Sequence, residues 1–440
     1  MARQDLVRAV IWLLVFALAA LGKAGALFDQ EWPPDPAMYP PGRVIAIDLG
    51  NTNSCVAGYD GPGETQTMFQ LCIPSWIAVA DDGAILVGDD ARKHAVVNPQ
   101  AAISGFKRLL GQRLTRVFER EFAERVKENL PYKVEEENVE PHIQVTTTDG
   151  AVRHLGVGKL TATVVAKLKE TAEAHLGHRV EAAILTLPLE LCNHASRYAA
   201  FFAGRVAGFE AMAVINEPTA AANAYGVDEN LREEGVVVVL HVGGGTAEAS
   251  ALTLVDNVYE ILAVDYDPFF GGQEFDRRIV DQFIGLVRNK HGKDISKDGA
   301  ALDKLRTACE RAKKTLSHQD HAQVIIESLV DGVDLAEPLT RDKFEELNHD
   351  LFLKVVELVD KVVTQAEVSM GSKLDVDEVV LIGGSTMIPK VRELIRDYFG
   401  GTKELNTRIK PDEVVTIGAA QYSKWIYDKR RSDLHIRGLS

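Results

Sequence analysis

The sequence predicts an α/β protein of two similar lobes, and three observations lead to this prediction. A short apolar strand, a turn and a returning strand occupy residues 44–59, and the same plan recurs at residues 236–254. Each unit is followed by a second strand that leads towards a helix, at residues 183–188 and 378–385. The chain of 440 residues also exceeds what one hydrophobic core usually organises. We therefore expect two lobes, each with its own core.

Each element of this plan has a local signal. The strands are apolar runs, and glycine and asparagine mark the turns at residues 48–53 and 241–246. Apolar residues three and four positions apart predict helices at residues 160–176 and 302–316, and a last helix at 414–427. We predict lobe I at residues 43–230 with an insertion at about 79–150, lobe II at 231–427 with an insertion at about 272–349, and a tail at 428–440.

The N-terminal residues have the pattern of a secretory signal peptide. Arg3 and Arg8 precede an uncharged, mostly apolar run at residues 9–22, and Ala24-Gly25-Ala26 is an A-x-A cleavage site. The run is shorter than the roughly 20 residues that a bilayer-spanning helix needs, so a permanent anchor is the less favoured alternative. We predict a signal peptide at residues 1–26, a proline-rich linker at 27–42, and no membrane span after cleavage.

Composition and charge exclude several classes of protein. Apolar residues make up 46% of the chain, as in an ordinary globular protein, and the formal net charge of −15 argues against binding nucleic acid or an anionic membrane. The four cysteines show no C-x-x-C spacing, so we expect neither a zinc site nor a dithiol redox motif. Their apolar contexts predict buried free thiols at Cys55, Cys72, Cys192 and Cys309.

The two turns suggest a site for a polyphosphate. Glycine-rich turns let backbone N–H groups approach phosphate oxygens, and the run Gly243 to Thr246 fits this role. Asp48 in the first turn is placed to hold Mg²⁺ through its waters. Glu217 begins an alanine-rich helix and is a candidate to orient an attacking water, or else an acid stabilised by the helix dipole. Lys107 lies in a basic cluster, where a solvated surface lysine is the simpler interpretation.

Further runs of sequence lead to a resemblance. They lie at residues 47–56, 216–226, 243–246, 271–276, 305–317, 344–348 and 383–386. In order, they follow the signatures of the nucleotide-binding domain of the seventy-kilodalton heat-shock chaperone family, which the chain resembles from about residue 43 to 427. With its signal peptide, it is most similar to the family's members in the lumen of the endoplasmic reticulum.

The resemblance implies an actin-like (ribonuclease H-like, duplicated) ATPase fold, with two lobes and four subdomains around a cleft for ATP or ADP with Mg²⁺, and with K⁺ as a further candidate cation. The catalytic candidates are Asp48, which also holds the metal, Lys107, which approaches the γ-phosphate, Glu217, His241 and Thr246. The nucleotide-binding candidates are Gly50, Asn51, Thr52, Asn53, Gly243, Gly244, Gly245, Thr246, Gly271, Gly272, Glu310, Lys313, Lys314, Ser317, Gly383, Gly384, Ser385, Met387 and Asp412. Glu310, Lys313, Lys314 and Ser317 also share one helix face by their spacing.

Four positions depart from the family pattern. His241 replaces an Asp, Asn51 a Thr and Asn53 a Tyr, and Met387 replaces an Arg that stacks on adenine. A neutral imidazole does not attract Mg²⁺ and its activated water as a carboxylate does. Met387 forfeits a cation–π contribution of roughly 0.5–2 kcal/mol. We therefore expect nucleotide binding with weakened or absent ATP hydrolysis, or normal turnover if Asp48, Glu217 and Lys107 suffice.

The resemblance leaves three functions to compare. The first is an ATP-binding chaperone of the endoplasmic reticulum lumen in protein folding, quality control or the unfolded-protein stress response. The second is a pseudo-ATPase that engages J-domain co-chaperones or nucleotide-exchange factors without client peptides. The third, a sugar kinase of the same fold, is disfavoured by the chaperone-specific runs at residues 310–317 and 344–348.

The end of the sequence adds further expectations. Relatives continue into a peptide-binding β-sandwich, which we expect to be absent here, and Leu439-Ser440 is not a retrieval signal. Secretion is therefore an alternative to luminal residence. We expect a monomer.

Overall fold

A computed structural model describes residues 38–61, 66–114, 120–138, 140–191, 193–226, 235–255, 258–401 and 403–436. The predicted signal peptide, the linker up to residue 37, and Cys192 lie outside these ranges. Every helix in the described part of the chain is too short or too polar to span a lipid bilayer.

Five sheets are formed by eighteen described strands. These are β1 (Val44–Asp48), β2 (Asn53–Asp60), β3 (Thr67–Pro74), β4 (Trp76–Val79), β5 (Ile85–Val87), β6 (Ala102–Ser104), β7 (Val134–Glu137), β8 (Glu140–Thr146), β9 (Val152–Gly156), β10 (Ala182–Leu187), β11 (Ala211–Asn216), β12 (Val236–Val242), β13 (Ala247–Val255), β14 (Val258–Asp267), β15 (His321–Val330), β16 (Val333–Thr340), β17 (Val376–Ile382) and β18 (Leu405–Asn406).

The described α-helices cover and connect these sheets. They are α1 (Asp89–Val97), α2 (Arg120–Asn129), α3 (Val157–Leu176), α4 (His194–Val206), α5 (Glu217–Ala224), α6 (Gly272–His291), α7 (Gly299–Leu316), α8 (Arg341–Leu347), α9 (His349–Met370), α10 (Pro389–Tyr398) and α11 (Val414–Ile436). The predicted helices at 160–176 and 302–316 are confirmed as α3 and α7, each starting three residues early. The predicted last helix continues beyond residue 427 to Ile436.

Two five-stranded sheets repeat one topology. The first has the order β3-β2-β1-β10-β11 and the second β14-β13-β12-β17-β18. In each, the three hairpin-connected strands are antiparallel, and the two strands beyond them are parallel to the central one. The repeat confirms the prediction of a duplicated α/β protein, and it places both predicted turns at the carboxyl end of a central strand, β1 or β12.

The central strands are apolar on both faces because helices or strands cover both sides. β1 is buried from Val44 to Ile47, and β12 from Val236 to Leu240. Smaller sheets, β4–β6, β7–β9 and β15–β16, are added to this frame.

Small residues allow α5 and α11 to cross closely between the two large sheets. Ala220 and Ala221 of α5 and Ala419 and Ala420 of α11 belong to one buried cluster. A side chain at Gly418 would clash with the carbonyl of Ala220. The alanine-rich sequence after Glu217 therefore serves close helix packing, which fixes where Glu217 lies.

The prediction of four free thiols was wrong for Cys55 and Cys72. These residues are directly opposite each other on β2 and β3 and form a disulfide. Sequence spacing could not show this, because the pairing depends on strand register. Cys309 is a buried free thiol, as predicted, and burial raises its pKa to about 12.

Candidate functional site

A cleft of about 590 Å³ lies where the turns of the two large sheets face each other, a volume within the usual range for small-molecule sites. The predicted residues that line it are Asp48, Gly50, Asn51, Thr52, Asn53, Lys107, His241, Gly243, Gly244, Thr246, Gly272, Glu310, Lys313, Lys314, Ser317, Gly383, Gly384, Ser385, Met387 and Asp412. Three predicted residues, Glu217, Gly245 and Gly271, are not part of this lining.

The two turns touch across the cleft. A side chain at Gly244 would clash with Thr52, so only glycine permits this approach. Asn51 Nδ2 donates to Thr246 Oγ1 at 3.4 Å. Asn51 Oδ1 and Thr52 Oγ1 are buried and have no hydrogen-bond partner in the described part of the chain. Polar atoms left without partners at facing glycine turns suit a bound polar ligand.

Asp48 lies at the end of β1 on the floor of the cleft. Its carboxylate accepts a hydrogen bond from Thr186 Oγ1 at 2.9 Å. Burial raises the pKa of Asp48, the charge of Glu217 raises it further, and the charge of Lys107 opposes the rise. A partly buried carboxylate whose charge is incompletely compensated fits a divalent cation, which would favour the ionised form.

Lys107, Glu217 and His241 form a buried cluster beside Asp48. Lys107 Nζ lies 2.5 Å from Glu217 Oε1, and His241 Nδ1 lies 2.9 Å from Glu217 Oε2. Burial opposes ionisation of Glu217, but the charge of Lys107 and the neighbouring His241 ring lower its pKa to about 2. Glu217 is 1% exposed and Lys107 is 6% exposed, so Lys107 is not a solvated surface lysine.

Local sequence explains how this cluster is held. Asn216 caps α5 by accepting the N–H of Thr219 at 2.9 Å, which fixes Glu217 at the first helical position. Lys107 lies on a 3₁₀ turn, Phe106–Leu109, whose first and last side chains are buried in the core. Both partners are therefore positioned by packed backbone.

Glu248 is a buried acid that is not among the predicted site residues. It lies on β13 directly opposite His241, is 1% exposed, and accepts the N–H of Glu190 at 3.2 Å. Burial, reinforced by the charge of Glu217, raises the pKa of Glu248 to about 8. A charged residue within the apolar run 247–254 was the available signal.

One face of α7 forms the opposite wall. Glu310, Lys313, Lys314 and Ser317 all line the cleft, so the predicted shared face is confirmed. Lys314 pairs with Glu310 at 2.7 Å. Lys313 donates to the Gly272 carbonyl at 2.8 Å and pairs with Asp276 at 2.7 Å, which the sequence argument missed. This wall is charged and largely self-paired.

The Gly-Gly-Ser-Thr run at residues 383–386 lines the cleft next to the turn at residues 241–246. Gly383 has a φ of +84°, which favours glycine, and a 3₁₀ turn follows at Gly384–Met387. Ser385 Oγ donates to the Gly243 carbonyl at 2.9 Å, which connects this run to the turn at residues 241–246. A Cβ atom at Gly384 would lie 3.8 Å from atoms of both Met387 and Asp412.

Comparison with known proteins decides the family. The family model described as "Hsp70 protein" matches residues 44–436, which is most of the chain. The chain belongs to the Hsp70 family. It is 46% identical over 380 residues to "Heat shock 70 kDa protein BIP3" of Oryza sativa subsp. japonica. That match covers 86% of this chain and 56% of the relative, so the chain spans about half the relative's length.

Membership of the Hsp70 family supports the actin-like ATPase fold. All four positions that depart from the family pattern line the cleft, namely Asn51, Asn53, His241 and Met387. His241 also lies 2.9 Å from Glu217. Glu217 itself lies behind His241 and Lys107, with one carboxylate oxygen close to each.

Proposed function

We propose that this chain binds ATP or ADP with Mg²⁺ in the cleft between its two large sheets. The observation that carries the proposal is the meeting of two glycine turns, one bearing Asp48, with unpartnered buried polar atoms between them. Asn51, Thr52 and residues 243–246 would hold phosphates, and Asp48 would hold the metal. The bound cation would supply charge neutralisation for the phosphates.

Hydrolysis in this member is proposed to be weak. His241 stands where the family pattern has a carboxylate, so the cleft floor has one fewer anion for a divalent cation. Glu217 cannot replace it, because its two oxygens are already close to Lys107 and His241. Loss of a catalytic carboxylate commonly costs orders of magnitude in rate.

The proposed cellular role is an ATP-binding chaperone of the endoplasmic reticulum lumen, in protein folding, quality control or the stress response. The signal-peptide pattern at residues 1–26 supports this location, and the similarity to a rice heat-shock protein supports the role in stress. The disulfide Cys55–Cys72 also suits an oxidising compartment. J-domain co-chaperones and nucleotide-exchange factors are the proposed partners.

Calorimetric titration with ATP and with ADP, each with and without Mg²⁺, tests nucleotide binding. We expect binding that Mg²⁺ strengthens, and loss of the Mg²⁺ effect in Asp48→Asn, which keeps the shape of the side chain but removes its charge. Asp281→Asn, an exposed position on α6, is the matched control and should behave as wild type. No heat and no thermal shift with millimolar Mg-ATP would refute the proposal.

The alternative is a pseudo-ATPase that binds nucleotide and engages co-chaperones. The presence of His241 in place of a carboxylate favours it specifically. Single-turnover hydrolysis on the calorimetry sample separates the two functions, because the pseudo-ATPase binds ATP and forms no ADP.

A further inference from the structure

Phe269 belongs to one half of the chain and is buried in the core of the other. Residues 38–226 carry the first large sheet and residues 235–436 the second, and these two ranges are called the first and second halves below. Phe269 follows β14, the outer strand of the second large sheet. It is 5% exposed and belongs to a hydrophobic cluster whose other buried members lie between residues 45 and 214. One side chain of the second half therefore packs into the core of the first half.

Two arginines of the first half hold the Phe269 ring. The guanidinium carbons of Arg108 and Arg125 lie 5.1 Å and 4.9 Å from the centroid of the ring. The ring of Phe122 is also close, with 5.7 Å between the two centroids. A cation within about 6 Å of an aromatic ring is attracted to its face, and more strongly where water is excluded. Cation–π attraction therefore adds to apolar burial at this contact between the halves.

The carboxylate of Asp267 binds one cation from each half. Arg125 Nη2 lies 2.6 Å from Oδ1, and Lys354 Nζ, on α9 of the second half, lies 2.6 Å from Oδ2. Oδ1 also accepts the N–H of Phe269 at 2.9 Å, which fixes the turn that carries the ring. The Asp267 side chain is 12% exposed, so salt screens these pairs only partly.

This segment is also attached to the glycine turn of the cleft. The N–H of Gly272 donates to the Gly243 carbonyl at 2.9 Å. A side chain at Gly245 would clash with the Arg108 guanidinium, so this arginine packs against the turn as well as against the Phe269 ring. The residues that join the two halves therefore lie next to the turn at which the proposed function places phosphates.

We propose that residues 267–269 form a latch with Arg108 and Arg125 that holds the two halves together, and that the latch has to open before a nucleotide enters or leaves the cleft. This inference rests on the proposed nucleotide binding. The two glycine turns touch across the cleft, so phosphates pass between them only when the halves move apart. That movement withdraws the Phe269 ring from the first half and separates Arg125 from Asp267.

The latch slows nucleotide exchange in both directions. Opening exposes an apolar ring and breaks hydrogen bonds between charged groups. Both costs are the same whether or not a nucleotide is bound, because none of the latch contacts is made to the nucleotide. They raise the barriers to association and to dissociation equally. Weakening the latch should therefore raise both rate constants and leave Kd nearly unchanged, whereas the loss of a nucleotide contact would raise Kd.

Stopped-flow mixing of the full-length protein with fluorescently labelled ADP and Mg²⁺ measures both rate constants. Arg125→Met keeps the aliphatic part of the side chain and removes its charge, so we expect both rate constants to rise about 10-fold and Kd to stay within about twofold. Phe269→Leu keeps an apolar side chain in the core of the first half, lacks the aromatic ring, and should act in the same direction. Lys354→Met is the matched control, because it removes the other cation from the same carboxylate without a contact between the halves, and it should match wild type.

The outcomes separate the latch from the proposed function. Faster association and dissociation in Arg125→Met and Phe269→Leu, with wild-type rates in Lys354→Met, would support the latch. The double variant of Arg125 and Phe269 should then be accelerated by less than the product of the two single effects, since the two side chains act in one contact. Wild-type rates in both single variants would overturn the latch and leave nucleotide binding intact, as would an equal acceleration by Lys354→Met. Absence of nucleotide binding to wild type would overturn both.

Discussion

Replacing Glu217 by Gln should destabilise the fold, because it removes the negative charge that compensates the buried ammonium group of Lys107. Glu217 is 1% exposed, and its carboxylate contacts Lys107 at 2.5 Å and His241 at 2.9 Å. The amide has nearly the same shape, so packing is retained. Lys107 would remain buried without the carboxylate that compensates it, and an uncompensated buried charge is costly.

The magnitude follows from the pKa of Glu217. Its folded value of about 2 lies below the ordinary value of about 4.3, and each pH unit between them is worth about 1.4 kcal/mol, or about 3 kcal/mol in all. Because the folded pKa is depressed, this stabilisation is complete above pH ~4.3 and is lost as the pH falls through about 2. Glutamine does not titrate, so the difference in the free energy of unfolding between wild type and Glu217→Gln should become smaller in acid.

Urea unfolding at several pH values, followed by circular dichroism with EDTA present, is the assay. We expect Glu217→Gln to lie about 3 kcal/mol below wild type at pH 7 and roughly 1 kcal/mol below it at pH 3. Glu128→Gln, at an exposed position on α2, should leave the free energy of unfolding unchanged at both pH values. Equal free energies of unfolding at pH 7, or a gap that does not narrow in acid, would show that the buried pair does not stabilise the fold.

Three further outcomes are expected. Glu248 has a folded pKa of about 8, so between pH 5 and 7 the folded wild type holds a proton that the unfolded chain has released, and wild type loses stability as the pH rises. Glu248→Gln has no such group, so its free energy of unfolding in urea should rise relative to wild type by roughly 1 kcal/mol per pH unit over this range. Replacing both Cys55 and Cys72 by Ser should lower the free energy of unfolding by about 3 kcal/mol, since the bridge spans 17 residues, and reduction of wild type should reproduce the loss. Gly244→Ala should weaken the thermal shift with Mg-ATP by pushing Thr52 away, whereas Gly285→Ala, which points into open space, should not.

The repeated strands and turns were predictable because their signals are local. An apolar run such as residues 236–240 is buried on both faces wherever it lies in the sheet, and the glycines that follow it end the strand. The face of α7 formed by Glu310, Lys313 and Ser317 was predictable for the same reason, since three- and four-residue spacing fixes a helix face without tertiary contacts. The order of the sequence motifs also predicted the family and most of the residues that line the cleft.

The disulfide, Glu248 and the self-pairing of Lys313 were missed because each depends on register or on a distant partner. Cys55 and Cys72 are 17 residues apart and become neighbours only when β2 and β3 pair in one register. Lys313 was assigned to nucleotide, but the fold brings Asp276 and the Gly272 carbonyl to its ammonium group. Spacing along the chain carries no information about such pairs.

The sequence by itself determined the duplicated α/β plan and the two glycine turns, because apolar periodicity and turn chemistry act over a few residues. The resemblance carried by its motifs indicated most of the residues that line the cleft. Only the tertiary structure decided which of these residues meet. Lys107 and Glu217 are 110 positions apart, and they meet because a 3₁₀ turn and a helix N-terminus are packed against the same cleft. The charge state and role of Glu217 follow from that meeting, since burial and opposite charge act through space and not along the chain.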